Sequence, residues 1–123
     1  KTMTTQSDNY LFTLTAFTED DADRVATPLV LANSALANGR DVLIWLTMEG
    51  VELAKKGAAN TLVPKSFSPV SELLTIYIEN GGRICQPCAK THGLSDENMI
   101  ENVELMGTIA MLDETVGRQT FSF

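Results

Sequence analysis

Short apolar runs alternate with helix-spaced apolar stripes along almost the whole chain, and few folds accept that alternation. Tyr10–Phe17 is rich in aromatic residues, leucine and threonine and reads as a strand. Thr18 then opens a Thr-x-x-Asp pattern with Asp21, which predicts a capping box. Val25, Leu29, Ala32 and Leu36 follow at helical spacing, and Gly39 supplies the stop. Pro28 either kinks this helix or marks its regular start, with Thr27 as cap. Val42–Met48 is a nearly unbroken apolar run holding Trp45, as a parallel strand buried on both faces requires.

Beyond Gly50 the pattern predicts a short helix over Val51–Lys56 and a loop from Gly57 to Phe67. Ser68 and Pro69 then read as a cap and a first helical position. Val70, Leu73, Leu74, Tyr77 and Ile78 form the stripe of that helix, which Gly81 and Gly82 end. Arg83–Cys85 reads as a third strand, followed by a helical turn from near Pro87 to Gly93. Val103–Met106 reads as a fourth strand, Thr108–Val116 as a helix with Ile109, Leu112 and Val116 inward, and Gln119–Phe123 as a half-buried last strand. Strands and helices in that order predict a three-layer α/β/α fold with a mainly parallel five-stranded sheet and right-handed crossovers. The spatial order of the strands is not fixed by this reading.

A chain of 123 residues suits one compact domain over residues 1–123. The formal net charge of −7 repels phosphate backbones, so nucleic acid is a poor partner. The acidic run Glu19, Asp20, Asp21 and Asp23 reads as a solvated helix start. The apolar stretches are too short to span a bilayer, and no basic start precedes an apolar run. These features predict a cytoplasmic protein with no membrane contact. The first residue is Lys1 rather than methionine, which suggests a removed upstream segment.

The two cysteines, Cys85 and Cys88, stand in a Cys-x-x-Cys. Two cysteines make no disulfide scaffold, and inside a cell that spacing suggests redox chemistry, sulfur transfer or metal binding. Cys85 ends a predicted strand and precedes a predicted helix. Ligands of open α/β sheets gather there, and helix-terminal amides favour a thiolate. Arg83, Lys90 and His92 lie close in sequence and would add positive potential. Glu49 falls at the same sheet end as Cys85, placed to move a proton or to raise the cysteine pKa, and Met48 and Trp45 are candidates to line a pocket.

The segment Arg83-Ile84-Cys85-Gln86-Pro87-Cys88-Ala89-Lys90-Thr91-His92-Gly93-Leu94 resembles the cysteine segment of the DsrE/DsrF-like proteins, which include TusD-type sulfur-relay subunits. There a strand delivers a cysteine, a short helix follows, and a glycine and an aliphatic residue end it. Trp45 to Val51 resembles that family's second strand with its Gly-Val helix opening, and Ala32 to Gly39 resembles its first helix. The resemblance spans nearly the whole chain. It implies a persulfide carrier: the family's cysteine, matched by Cys85, takes sulfane sulfur from a donor protein and passes it to an acceptor protein. Cys88 has a secondary role, with Met48, Glu49, Arg83 and His92 as binding residues and no cofactor or metal. The resemblance also implies a homotrimer or homohexamer. Apolar side chains after Gly93 and around Met99, Ile100, Met106 and Met111 are candidates to cover its interfaces, with Cys85 near a subunit boundary.

Other readings compete. A thioredoxin-like oxidoreductase fits the Cys-x-x-Cys, but it normally places a cis-proline well downstream, and Pro87 is the last proline here. A zinc site would draw on Cys85, Cys88 and His92, yet a structural zinc wants four protein ligands and there is no second cysteine pair. A nucleotide binder is disfavoured because no G-x-G-x-x-G or Walker pattern occurs. A non-enzymatic oligomeric binding module is the remaining alternative.

Overall fold

Residues that are apolar on both sides of a strand need cover on both sides of the sheet. The computed structural model describes residues 8–80 and 82–123, so Gly81 lies outside the described residues. In it β1 (Asn9–Leu14), β2 (Asp41–Leu46), β3 (Gly82–Cys85), β4 (Val103–Met106) and β5 (Gln119–Ser122) form one sheet in the order β4-β3-β2-β1-β5. Every pairing is parallel, and β1 and β2 match residue for residue from Asn9 with Asp41 to Leu14 with Leu46.

This order explains an unequal covering of the two faces. The chain steps from β1 to β2 to β3 to β4 in one direction. Its connections, α1 (Ala22–Ala37), the 3₁₀ segments Met48–Ala54 and Ala58–Thr61, α2 (Val70–Leu73), α3 (Thr75–Glu79) and α4 (Gln86–Thr91), bury Phe12, Leu14, Ile44, Leu46 and Ile84 in one large cluster. The return from β4 to β5 runs the other way. A right-handed crossover then puts its helix on the opposite face, where α5 (Thr108–Glu114) packs Met111 against Leu11, Leu43 and Met106. One seven-residue helix therefore covers that face where the other face has several.

Several local expectations change in the folded chain. β1 stops at Leu14 and not at Phe17, and just beyond it Thr15 bonds the carbonyl of Phe123 through both its N–H and its hydroxyl. The cap of α1 is Asp21, whose carboxylate accepts the Arg24 N–H, and not Thr18. Asp23, in the first turn, reaches across to the Ser66 hydroxyl and the Lys65 and Ser66 N–H groups. Pro28 lies inside a continuous α1 with its ring buried. The helix expected from Pro69 is divided at Leu74 into α2 and α3, and Ser68 makes no capping bond. Val70, Leu74 and Tyr77 are buried as expected, joined by Ile76. The helix expected over Val51–Lys56 is the 3₁₀ segment Met48–Ala54.

The largest departure is α5. Ile109, Leu112 and Val116, expected inward, are 79%, 67% and 81% exposed, and Met111 alone in this helix is buried. Met99 and Met106, expected at an interface, are likewise buried within the chain. Edge strand β5 is more exposed than expected, although Phe121 stacks on Phe12 at 5.3 Å between ring centres.

Two glycines set close approaches. Gly82 faces the buried ring of Tyr77, where an added Cβ would lie 2.0 Å from Cζ, and the Tyr77 hydroxyl donates to the Arg83 carbonyl at 2.9 Å. Gly50 packs on the end of β1, where an added Cβ would lie 2.2 Å from the Leu14 carbonyl oxygen. Backbone cannot give way as a flexible side chain can. Gly50→Ala is expected to lower the unfolding free energy by about 2 kcal/mol or more, as overpacking typically does. Urea denaturation of the two proteins checks this, and an unchanged midpoint would show that the loop yields freely.

Candidate functional site

Cys85 is the last residue of β3 and the residue that α4 starts from. Its side chain is 5% exposed, packed in the main core. Pro87 in the first turn of α4 fits because its missing N–H has no helical partner there. One turn later Cys88 is half-buried at the surface. The helix closes at His92 and Gly93, whose φ of +73° suits a residue without Cβ.

Two grooves flank α4. The larger, about 470 Å³, is lined by Gln86, Pro87, Ala89, Lys90, Leu94 and Leu105 and contains no thiol. The other, about 320 Å³, is lined by Met48, Glu49, Pro87, Cys88, Thr91 and His92. The structure thus gathers Cys88, Met48, Glu49 and His92 on one open groove, with Cys85 in the wall behind. This lies past the ends of β2 and β3, and not at the β1/β5 junction where the chain direction reverses. That junction is closed by Phe123, whose N–H and carbonyl bond Thr13 and Thr15 at 2.8 Å each.

The loop after β2 supplies what surrounds the sulfur. Thr47 Oγ1 lies 3.5 Å from Cys88 Sγ. Met48 has a φ of +52°, an uncommon conformation for a residue with a side chain. Its N–H and that of Cys88 itself favour the charged form of the Cys88 sulfur. Burial opposes ionisation of Cys88, but hydrogen bonds from the Cys85 thiol, from Thr47 and from those two N–H groups outweigh it and hold the Cys88 pKa below that of an ordinary thiol. For Cys85 burial acts in the same direction as its bond to Cys88, and its pKa is raised. Of the two thiols, the groove-facing Cys88 is therefore the easier to ionise and the buried Cys85 the harder.

The expected cations contribute little of this. Arg83 pairs with Glu104 on the neighbouring strand at 3.5 Å. Lys90 faces the larger groove. His92 Nδ1 is 2.7 Å from Glu52 Oε2. Burial raises the Glu52 pKa, but its bonds with Lys55 and His92 prevail and hold it below the usual value. Glu52 and Thr47 are the site residues that sequence reasoning missed. A Thr directly after a buried strand was the available signal for the second, while nothing local marks Glu52 as the partner of His92, forty residues away. Glu49 is exposed at the groove mouth. Trp45 lies elsewhere, on the α5 face, where it lines a cavity of about 330 Å³ with Leu11 and Met111.

Among the described residues no cluster of three or more His, Cys, Asp or Glu side chains is placed to hold a metal ion. No helix among them is long and apolar enough to cross a membrane.

The fold and the chain both have relatives. An uncharacterised protein of Methanopyrus kandleri is 44% identical over 85 residues, covering 68% of this chain and 67% of its own. Another from Methanocaldococcus jannaschii is 38% identical over 85 residues, covering 68% and 71%. The crystal structure of the ychN protein from E. coli superposes with a TM-score of 0.72 at 16% identity, covering 94% of this chain and 99% of that one. A protein of unknown function from Methanobacterium thermoautotrophicum gives 0.65 at 17% identity, covering 94% and 98%. At such identities these two structures show a shared fold alone. The DsrE/DsrF-like family model matches residues 9–115, and the chain belongs to that family.

Proposed function

We propose that this protein accepts sulfane sulfur as a persulfide on the Cys85–Cys88 pair and passes it to an acceptor protein. The observation that supports this reading best is a Cys-x-x-Cys at a strand end with Cys88 lining an open groove and Cys85 buried behind it. A thiolate is the form that attacks a donor's outer sulfur. The family's association with sulfur relay points the same way. Met48, 61% exposed at the groove rim, offers an adaptable apolar contact to a donor or acceptor protein. Chemistry of this kind belongs in a reducing compartment such as the cytoplasm.

Assembly as a homotrimer or homohexamer belongs to the same proposal. Its support is the exposed apolar row Ile109, Leu112 and Val116 on the thinly covered face. This row is on the opposite side of the sheet from Cys85. An interface there would leave the thiol groove open and would not wall in Cys85.

Incubation with a persulfide donor should add one sulfur atom to the intact protein, and Cys85→Ser with Cys88→Ser together should abolish the gain. Loading that survives the double substitution, or none by the wild type, would sink the proposal. Thr47→Val removes a contact that favours the thiolate, so the pH midpoint of loading should move up, with the plateau at high pH retained. A rate-against-pH profile reads this directly. Light scattering should find an oligomer that Ile109→Lys with Leu112→Lys dissociates while the fold persists. A wild-type monomer at all concentrations would remove the assembly claim.

A further inference from the structure

The two thiols of the site differ in ways that assign them an order of action. Cys88 lines the groove, and Cys85 does not. Cys85 is 5% exposed and sits among core side chains, so a protein or small-molecule persulfide reaching into the groove meets Cys88 first. Thr47 Oγ1 lies 3.5 Å from Cys88 Sγ, and although Thr47 and the Cys88 N–H favour the charged form of both sulfurs, the Met48 N–H favours that of Cys88 alone. Cys85 lies one helical turn before Cys88 on the buried side, and the two thiols influence each other's ionisation.

Resting on the sulfur-carrier reading above, we infer that Cys88 is the thiol that takes the incoming sulfur and that Cys85 is a resolving thiol, which discharges the persulfide as hydrosulfide when no acceptor takes it. In the first step the Cys88 thiolate attacks the outer sulfur of a donor persulfide, R–S–SH. The donor S–S bond breaks, R–S⁻ leaves, and Cys88–S–SH forms. In the second step Cys85 loses its proton to solvent and attacks the inner sulfur, Cys88 Sγ. The bond to the outer sulfur breaks, HS⁻ leaves, and a Cys85–Cys88 disulfide remains. The sulfane sulfur gains two electrons, one from each cysteine sulfur. An external dithiol reductant restores the pair.

The arrangement also sets the relative speeds. A raised Cys85 pKa makes its attacking thiolate scarcer than that of an ordinary thiol and slows the second step, since only the thiolate form attacks. An acceptor docked on the groove then competes for the outer sulfur. The groove therefore favours transfer when an acceptor is present and discharge when none is. Spacing of three residues across a helix start is one at which disulfides form readily, as in other Cys-x-x-Cys sites.

The test is single-turnover loading from a small-molecule persulfide, followed by intact mass and by sulfide detection. Wild type should first gain one sulfur atom, then lose it, ending two hydrogens lighter with one sulfide released per chain. Cys85→Ser should still load but keep the sulfur, releasing at least about tenfold less sulfide per sulfur loaded. Cys85→Ala serves if the serine variant does not fold, as circular dichroism would show. Cys88→Ser should load at least about tenfold more slowly. Loading of Cys88→Ser at the wild-type rate would overturn the order of the thiols. A wild-type persulfide that persists without sulfide would overturn the discharge step. Failure of every form to gain sulfur would instead sink the carrier reading beneath it.

Discussion

The carbonyl of Leu14 is where the site is fastened to the fold. It ends β1, accepts the Thr47 N–H at 3.0 Å, and lies against the bare Cα of Gly50. A side chain at residue 50 would push the Thr47–Gly50 turn off the sheet end. With glycine there, the turn closes over β2, Gly50 N–H bonds the Thr47 carbonyl at 2.9 Å, and Met48 is held in its left-handed conformation. Thr47 Oγ1 then lies 3.5 Å from a sulfur that arrives from α4, about forty residues on. Contact between a loop and a distant helix start depends on this one backbone approach.

Strand order decides how the rest of the surface is used. Three successive crossovers thicken one face and leave α5 to cover the other. The thiol site grows out of the thick face, where a well-filled core fixes the ends of β2 and β3. Leftover apolar surface gathers on the thin one, in an acidic chain of net charge −7 that otherwise favours solvation. Exposed apolar side chains in such a row are a common mark of a protein contact surface. That row lies on the face of the sheet away from the thiol groove.

The chemistry at the cysteines comes from hydrogen bonding more than from cations. Arg83 pairs with Glu104, and the His92 ring is hydrogen-bonded to Glu52, so neither is directed at the sulfurs alone.

The sequence by itself determined the class of fold, the number of strands and the place of Cys85 at a strand end. Period-two and period-3.6 patterns are local, and the unbroken run around Trp45 permits only a doubly covered strand. It also marked Met48, Glu49, Cys88 and His92, which do share a groove. Tertiary structure decided what lay between distant residues: strand order, the pairing of His92 with Glu52, and the approach of Thr47 to Cys88. It also decided which side of α5 faces in. A helical stripe shows that one face is apolar, but not whether this chain or another buries it. Ile109, Leu112 and Val116 form such a stripe, yet only Met111 reaches the sheet. The difference between the two cysteines is tertiary for the same reason, since burial and hydrogen-bond partners are set by residues that no local spacing brings together.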